Sequence, residues 1–297
     1  MLKKCELAQL FAADQTIKTA LLSTGSDGDT MLVDAGPDCF VLRRWARKPV
    51  DEILHEASLL RYLASQGFPC SPPFEHVFVD GAGLTNALRP FVDGTAPRAM
   101  SDSDLGEVGR LLGRLHVITR SVATEGAITR YRLDQQGFLV ELEADFPELA
   151  AELESLRLDM EAVNYPLLQS SIVHDDVSLE NFVRMRDGSL VLIDWSESHL
   201  DYSIADIGAA VAQLALGPLQ VEMLLDAYRS VAPLSDYEAA LIDLVALRRI
   251  LFLVWYYSGL ARKNAEASHE AVLGQLLARA RAGMRRFANE QHQGQAC

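Results

Sequence analysis

Three oxygen-bearing side chains at fixed spacing carry the chemistry of residues 172–195, IVHDDVSLENFVRMRDGSLVLIDW: Asp176, then Asn181, then Asp194, with His174 just ahead of the first. A carboxylate such as Asp176 can accept the proton of a hydroxyl group. Asn181 and Asp194 offer the hard oxygen ligands that Mg²⁺ prefers, leaving phosphate oxygens and water to complete an octahedron. Together these groups could move a phosphoryl group. The runs NFVRM and LVLID, separated by Arg186-Asp187-Gly188-Ser189, predict a β-hairpin with Asp-Gly at its turn, and a hairpin brings its two ends together. Taken singly, each of these residues favours a plainer reading, a buried histidine and surface acids around an ordinary hairpin. Four specified residues at fixed offsets, however, arise by chance in a chain this long on the order of once in a thousand sequences.

The order His174-x-Asp176-x-x-x-x-Asn181, followed by Ile193-Asp194-Trp195, has the spacing of a kinase catalytic loop and its metal-binding aspartate. The segment resembles the catalytic core of the aminoglycoside phosphotransferase, choline kinase and homoserine kinase superfamily, whose fold is similar to that of eukaryotic protein kinases. The likeness runs from about residue 20 to about residue 215. It implies a bilobal α+β fold, in which a small antiparallel β-sheet lobe precedes a larger, mainly helical one, and it implies ATP and Mg²⁺ as cofactors. It also implies Asp176 as the catalytic residue, Asn181 and Asp194 as metal ligands, and His174 and Asp206 as structural supports of the catalytic loop. The chain departs from the family at Asp175, where Gly is usual, and at Ser178, where a second His is common. Asp175 and Asp176 would repel each other if both faced one site. Adjacent side chains of an extended segment point oppositely, so Asp176 is expected to face substrate and Asp175 to face away.

The elements that must position these groups begin with short strands at residues 17–22, 30–34 and 39–45. The turn Ser23–Asp29 is either an ordinary hairpin tip or, where the resemblance places it, the loop whose Gly25 and Gly28 let backbone N–H groups approach phosphate. Arg43, in Phe40-Val41-Leu42-Arg43, stands in the place of the phosphate-binding lysine of a V-A-I-K strand, with Arg44 on the opposite face. Helical periodicity in VDEILHEASLLRYLASQG carries Glu56, which matches the family's ion-pair glutamate; a solvent-facing acid is the alternative, and Glu52 the competitor. Leu84–Gly94 resembles the hinge, where the backbone near Ala87 to Arg89 would bond adenine. That divides the chain into a nucleotide-binding lobe at 1–91 and a catalytic, substrate-binding lobe at 92–297. Past Ser101 the pattern turns helical, with Asp102 or Ser103 as N-cap and His116 as a core histidine closing an apolar stripe. Beyond the metal aspartate, Glu197, Asp201 and Tyr202 line the substrate pocket or form a solvated acidic loop. The Asp201-Tyr202-x-x-x-Asp206 spacing is nearest the homoserine-kinase-like branch, whereas Glu180-Asn181-Phe182 leans towards choline kinases.

A length of 297 residues suffices for two cored lobes, and a composition 49% hydrophobic and 23% charged is that of a globular protein. The start, MLKKCELAQLF, lacks an apolar secretory core, the run Ile250–Tyr257 is too short to span a bilayer, and the four cysteines form no pair at metal spacing. A cytoplasmic protein with free thiols is expected. The net charge of −14 argues against nucleic acid or anionic membrane as partner. Residues 1–91 hold 9 Lys/Arg and 11 Asp/Glu, so nearly all the excess charge falls after residue 91, in the half that would bind substrate. This fits either a cationic, amine-bearing substrate or merely solvated acidic helices. The expectation is an ATP- and Mg²⁺-dependent transfer to a hydroxyl of a small metabolite or antibiotic of the homoserine, choline or aminoglycoside kind. The rivals are a silent nucleotide-binding relative and a protein Ser/Thr kinase, the latter disfavoured by the lack of an A-P-E motif.

Overall fold

The computed structural model describes residues 17–25, 28–45, 48–122, 132–263 and 267–294. Backbone contacts divide the chain into two compact units, Met1–Pro97 with Glu180–Ser196, and Arg98–Leu179 with Glu197–Cys297. The hairpin after the catalytic loop thus belongs with the N-terminal residues.

In the first unit, β1 (Lys18–Gly25), β2 (Gly28–Ala35), β3 (Asp38–Trp45), β4 (His76–Val79) and β5 (Thr85–Pro90) form an antiparallel sheet in the order β1-β2-β3-β5-β4. Side chains alternate between its faces, as a strand period of two requires. Val33, Leu42 and Leu88 pack one apolar cluster. Trp45, Ala87 and Phe74 pack another with Ile53 and Ala57 of helix α1 (Val50–Ser65). Arg43 is therefore on the face shared with Trp45, its guanidinium 5.3 Å from that ring centroid. Arg44 turns to the other face, donating from Nε to Asp80 at 3.0 Å. Gly28 is dictated by packing: a Cβ there would lie 1.8 Å from the Arg44 carbonyl oxygen, so only glycine lets β2 close on β3. Gly25 pairs with Gly28 across the turn, whose Ser26 and Asp27 lie outside the described residues.

The hairpin of β7 (Phe182–Arg184) and β8 (Leu190–Leu192) forms in the unit's C-terminal piece, with Gly188 at φ 88 in its turn. It is tied to the N-terminal piece by the amide of Ser71, which donates to the Leu192 carbonyl at 3.1 Å, and by a bridge between Thr95 and Arg184.

The second unit is mainly helical: α2 (Asp102–Thr119), α3 (Gly137–Asp145), α4 (Ala150–Glu161), α5 (Ile204–Gln213), α6 (Pro218–Arg229), α7 (Asp236–Ala240), α8 (Ile242–Lys263) and α9 (Ala267–Gly294). The N-cap of α2 is Ser101, one residue before Asp102 and two before Ser103, because Ser101 and Asp104 complete a capping box. Strand β6 (Ser170–Val173) pairs antiparallel with β9 (His199–Tyr202), joining Val173 to His199 at the start of the catalytic loop. Helix α5 is the buried axis; Gly208 lets it press against α8, where an added Cβ would lie 2.4 Å from Val245 Cγ1. Helix α8 is longer than the run Ile250–Tyr257 suggests, and residues 242–262 are by length and composition enough to cross a membrane. Over half of that window is buried within the protein, and it carries Arg248 and Arg249, both buried.

Candidate active site

The first unit gathers three cations and two carboxylates. Arg43 ion-pairs with Asp194, and Lys48, just after β3, donates from Nζ to the Ser196 carbonyl at 2.8 Å. Glu56 is 2% exposed, so it is not a solvent-facing acid. Burial raises its proton affinity, while Lys48, Arg89 and Arg43, in that order, oppose the rise. The cation acting most strongly on Glu56 is thus Lys48, whose Nζ lies 4.0 Å from Oε2, whereas the longer Arg43 fork reaches Asp194. Lys48 was not singled out from the sequence, since it stands outside the strand motif.

The hairpin explains how Asn181 and Asp194 are brought together. Phe182 pairs with Leu192, and one step further the Ile193 amide donates to the Asn181 carbonyl at 2.9 Å, leaving Asp194 as the next residue. Asp194 has φ 61, a left-handed conformation unusual outside glycine. Burial works against its ionisation, but the charge and hydrogen bond of Arg43, with Arg89 behind, hold its carboxyl far below the usual range. Among the described residues no three His, Cys, Asp or Glu side chains form a metal cage. Asn181 and Asp194 carry hard side-chain oxygens of the kind a divalent cation takes beside phosphate and water.

Of the residues given an adenine role by the resemblance, Ala87 has its backbone inside the sheet. It is fully buried in β5 and flanked by Arg43 of β3 and Val77 of β4. Arg89 is buried with its charge near Glu56 and Asp194, and burial lowers its proton affinity. Strand β5 runs on to Pro90, within the Leu84–Gly94 segment.

In the second unit the catalytic loop hangs from Asp206 on α5. The His174 amide donates to Oδ2 at 2.9 Å and the Asp175 amide to Oδ1 at 2.8 Å. His116 adds a contact from Nε2 at 3.1 Å and bonds Tyr228 through Nδ1 at 2.9 Å. Burial opposes the charge on Asp206, but the His116 contact and these amides outweigh it and hold its carboxyl below the usual range. His174 is buried, its Nδ1 accepting from the Asp176 amide at 3.2 Å.

The two adjacent aspartates differ sharply. Asp175 sits at φ 62, which explains why glycine suits this position, and the strand-like alternation expected there does not exist. Its carboxylate accepts from Arg249 Nη1 at 3.0 Å, and its carbonyl accepts from Nη2. Burial raises the Asp175 pKa, with Arg249 and His199 opposing. Asp176 remains partly exposed, with Oδ1 accepting from Gln213 Nε2 at 2.5 Å.

Of the expected substrate residues, Asp201 is not available. It is 2% exposed, and its oxygens accept from the amides of Leu133 at 2.8 Å and Tyr202 at 2.7 Å. Tyr202 is also buried, its ring 5.3 Å from that of Tyr165 and under the Arg132 guanidinium. Glu197 keeps a partly exposed side chain, while its carbonyl accepts from His199 Nδ1 at 2.8 Å. Burial disfavours charge on His199, yet the Asp201 carboxylate, 3.6 Å from Nε2, and Asp175 raise its pKa to about 9.

The sequence pattern of the phosphotransferase enzyme family matches residues 18–241. The chain belongs to that family. A homoserine kinase of Rhodospirillum rubrum is 27% identical over 235 residues, covering 73% of this chain and 71% of that one. Among solved structures, choline kinase LicA from Streptococcus pneumoniae superposes with a TM-score of 0.70 at 13% identity, covering 95% of this chain and 97% of the other. A spectinomycin phosphotransferase in complex with ADP and spectinomycin gives 0.67 at 12% identity, over 94% and 96%. These likenesses give the fold, so the sheet and helical units described above are those of the protein-kinase-like phosphotransferases. The matched span carries every residue discussed except those of α8 and α9.

Proposed function

We propose that this phosphotransferase moves the γ-phosphoryl group of ATP, with Mg²⁺, to the hydroxyl of a small amine-bearing metabolite, homoserine being the first candidate. The observation that carries the reading is the asymmetry of the paired aspartates. Asp175 is locked to the cation Arg249, while Asp176, on the same anchored loop, accepts from the neutral amide of Gln213. Asp176 then orients the acceptor hydroxyl and takes its proton. Arg43 and Lys48 hold phosphate oxygens, and Asn181 and Asp194 hold the metal, which when bound neutralises charge on the transferring group. The rest of the catalytic effect is positioning, and no covalent intermediate on the enzyme is needed. The R. rubrum relative supports homoserine, which bears both an amine and a hydroxyl.

The test is product formation with Mg²⁺ and ATP from homoserine, choline and an aminoglycoside, each read by mass spectrometry. Phosphohomoserine should dominate. Phosphate incorporated into protein instead, or no phosphorylated product while ATP still protects against heat, would overturn the proposal.

A further inference from the structure

Helix α5 contacts the loop of His174 to Asp176 at both of its ends. Near its start Asp206 holds the backbone of His174 and Asp175, and its last residue, Gln213, reaches the side chain of Asp176. An ionised carboxylate can only accept hydrogen bonds, so the NH₂ end of the Gln213 amide must face it. That orientation commits Gln213 Oε1 to the opposite side, where it is buried and has no hydrogen-bond partner among the described residues. A buried acceptor left unmade lowers stability, and an apolar side chain of the same size would avoid the loss. The amide therefore has a use other than folding.

We propose that Gln213 is the positioning residue of Asp176. By holding Oδ1 it stops the carboxylate from rotating, so the base is aligned before substrate arrives. The helix end is itself fixed, since Arg279 of α9 donates to the carbonyl of Ala212 and Gly208 is pressed against Val245. On this reading Gln213 acts through Asp176 alone. Its effect falls on the chemical step and not on ATP binding. The inference rests on Asp176 being the base, as set out above.

The experiment compares wild type with Gln213→Leu and Gln213→Asn under Mg²⁺ and ATP with the acceptor that wild type phosphorylates. Leucine keeps the volume without the amide, and asparagine keeps the amide on a shorter reach. Both should lower kcat 10- to 100-fold, the usual range for groups that orient a functional residue, leave KM for ATP within about twofold, and leave the melting temperature of Gln213→Leu unchanged or raised. Full kcat in Gln213→Leu would overturn the inference. So would a loss of kcat matched by a fall in melting temperature in both variants, which would mark a merely structural glutamine. If wild type phosphorylates no acceptor at all, the reading of Asp176 fails first and takes this one with it.

Discussion

Replacing Asp175 by glycine sets two effects of the same residue against each other. Its φ of 62 is a conformation in which glycine is at ease and aspartate is strained, so the substitution should relieve about 1 kcal/mol. Against that, the carboxylate lies 3.0 Å from Arg249 Nη1, with side chains only 17% and 10% exposed. Breaking a buried pair by removing one partner costs about 3–5 kcal/mol, because the other charge stays uncompensated. The Phe252 ring, 5.2 Å from the guanidinium, offsets little of this. A net loss of about 3 kcal/mol follows, lowering the melting temperature by roughly 5–10 °C for a chain of this size. Asp206 still holds the loop backbone, so turnover at 20 °C should stay near that of wild type. Calorimetry and an ADP-release assay measure the two quantities, and adding Arg249→Met should restore most of the stability. If Asp175→Gly proves as stable as wild type or more so, strain relief outweighs the ion pair and the reasoning fails.

Lys48→Met should weaken ATP binding about tenfold and kcat less, because Glu56 and the phosphates lose a cation while Asp176 is untouched; ATP protection against heat measures it. His199 titrates at about 9 in the fold against an ordinary 6.5, so its stabilisation is full below pH 6.5 and is lost as pH rises through 9. The urea midpoint should therefore fall over that window by up to about 3 kcal/mol of stability, and His199→Asn should flatten the fall. In Gly28→Ala the added methyl meets the Arg44 carbonyl, so amide exchange at Arg43 to Trp45 should speed up; unchanged exchange would contradict the packing explanation.

The parts of this protein that follow local rules were legible in the sequence. The Asp187-Gly188 turn and its flanking apolar runs gave the hairpin that sets Asn181 beside Asp194, and the alternation of β3 separated Arg43 from Arg44. The apolar period marked helix α1, but only the structure shows Glu56 buried on it. What stayed hidden depends on groups far apart in the chain. Arg249 lies 74 residues from Asp175 and Gln213 lies 37 from Asp176, and no spacing rule links such pairs. Asp201 read as a substrate acid because nothing local shows that the Leu133 amide would claim it.

The central claim, that Asp176 is the base of a phosphoryl transfer, is tested most directly by Asp176→Asn beside wild type, with Mg²⁺, ATP and homoserine, following ADP and phosphohomoserine together. The account predicts a loss of at least about a thousandfold in kcat, with protection by ATP against heat unchanged, because the nucleotide is held by residues other than Asp176. Turnover within tenfold of wild type in Asp176→Asn would contradict it.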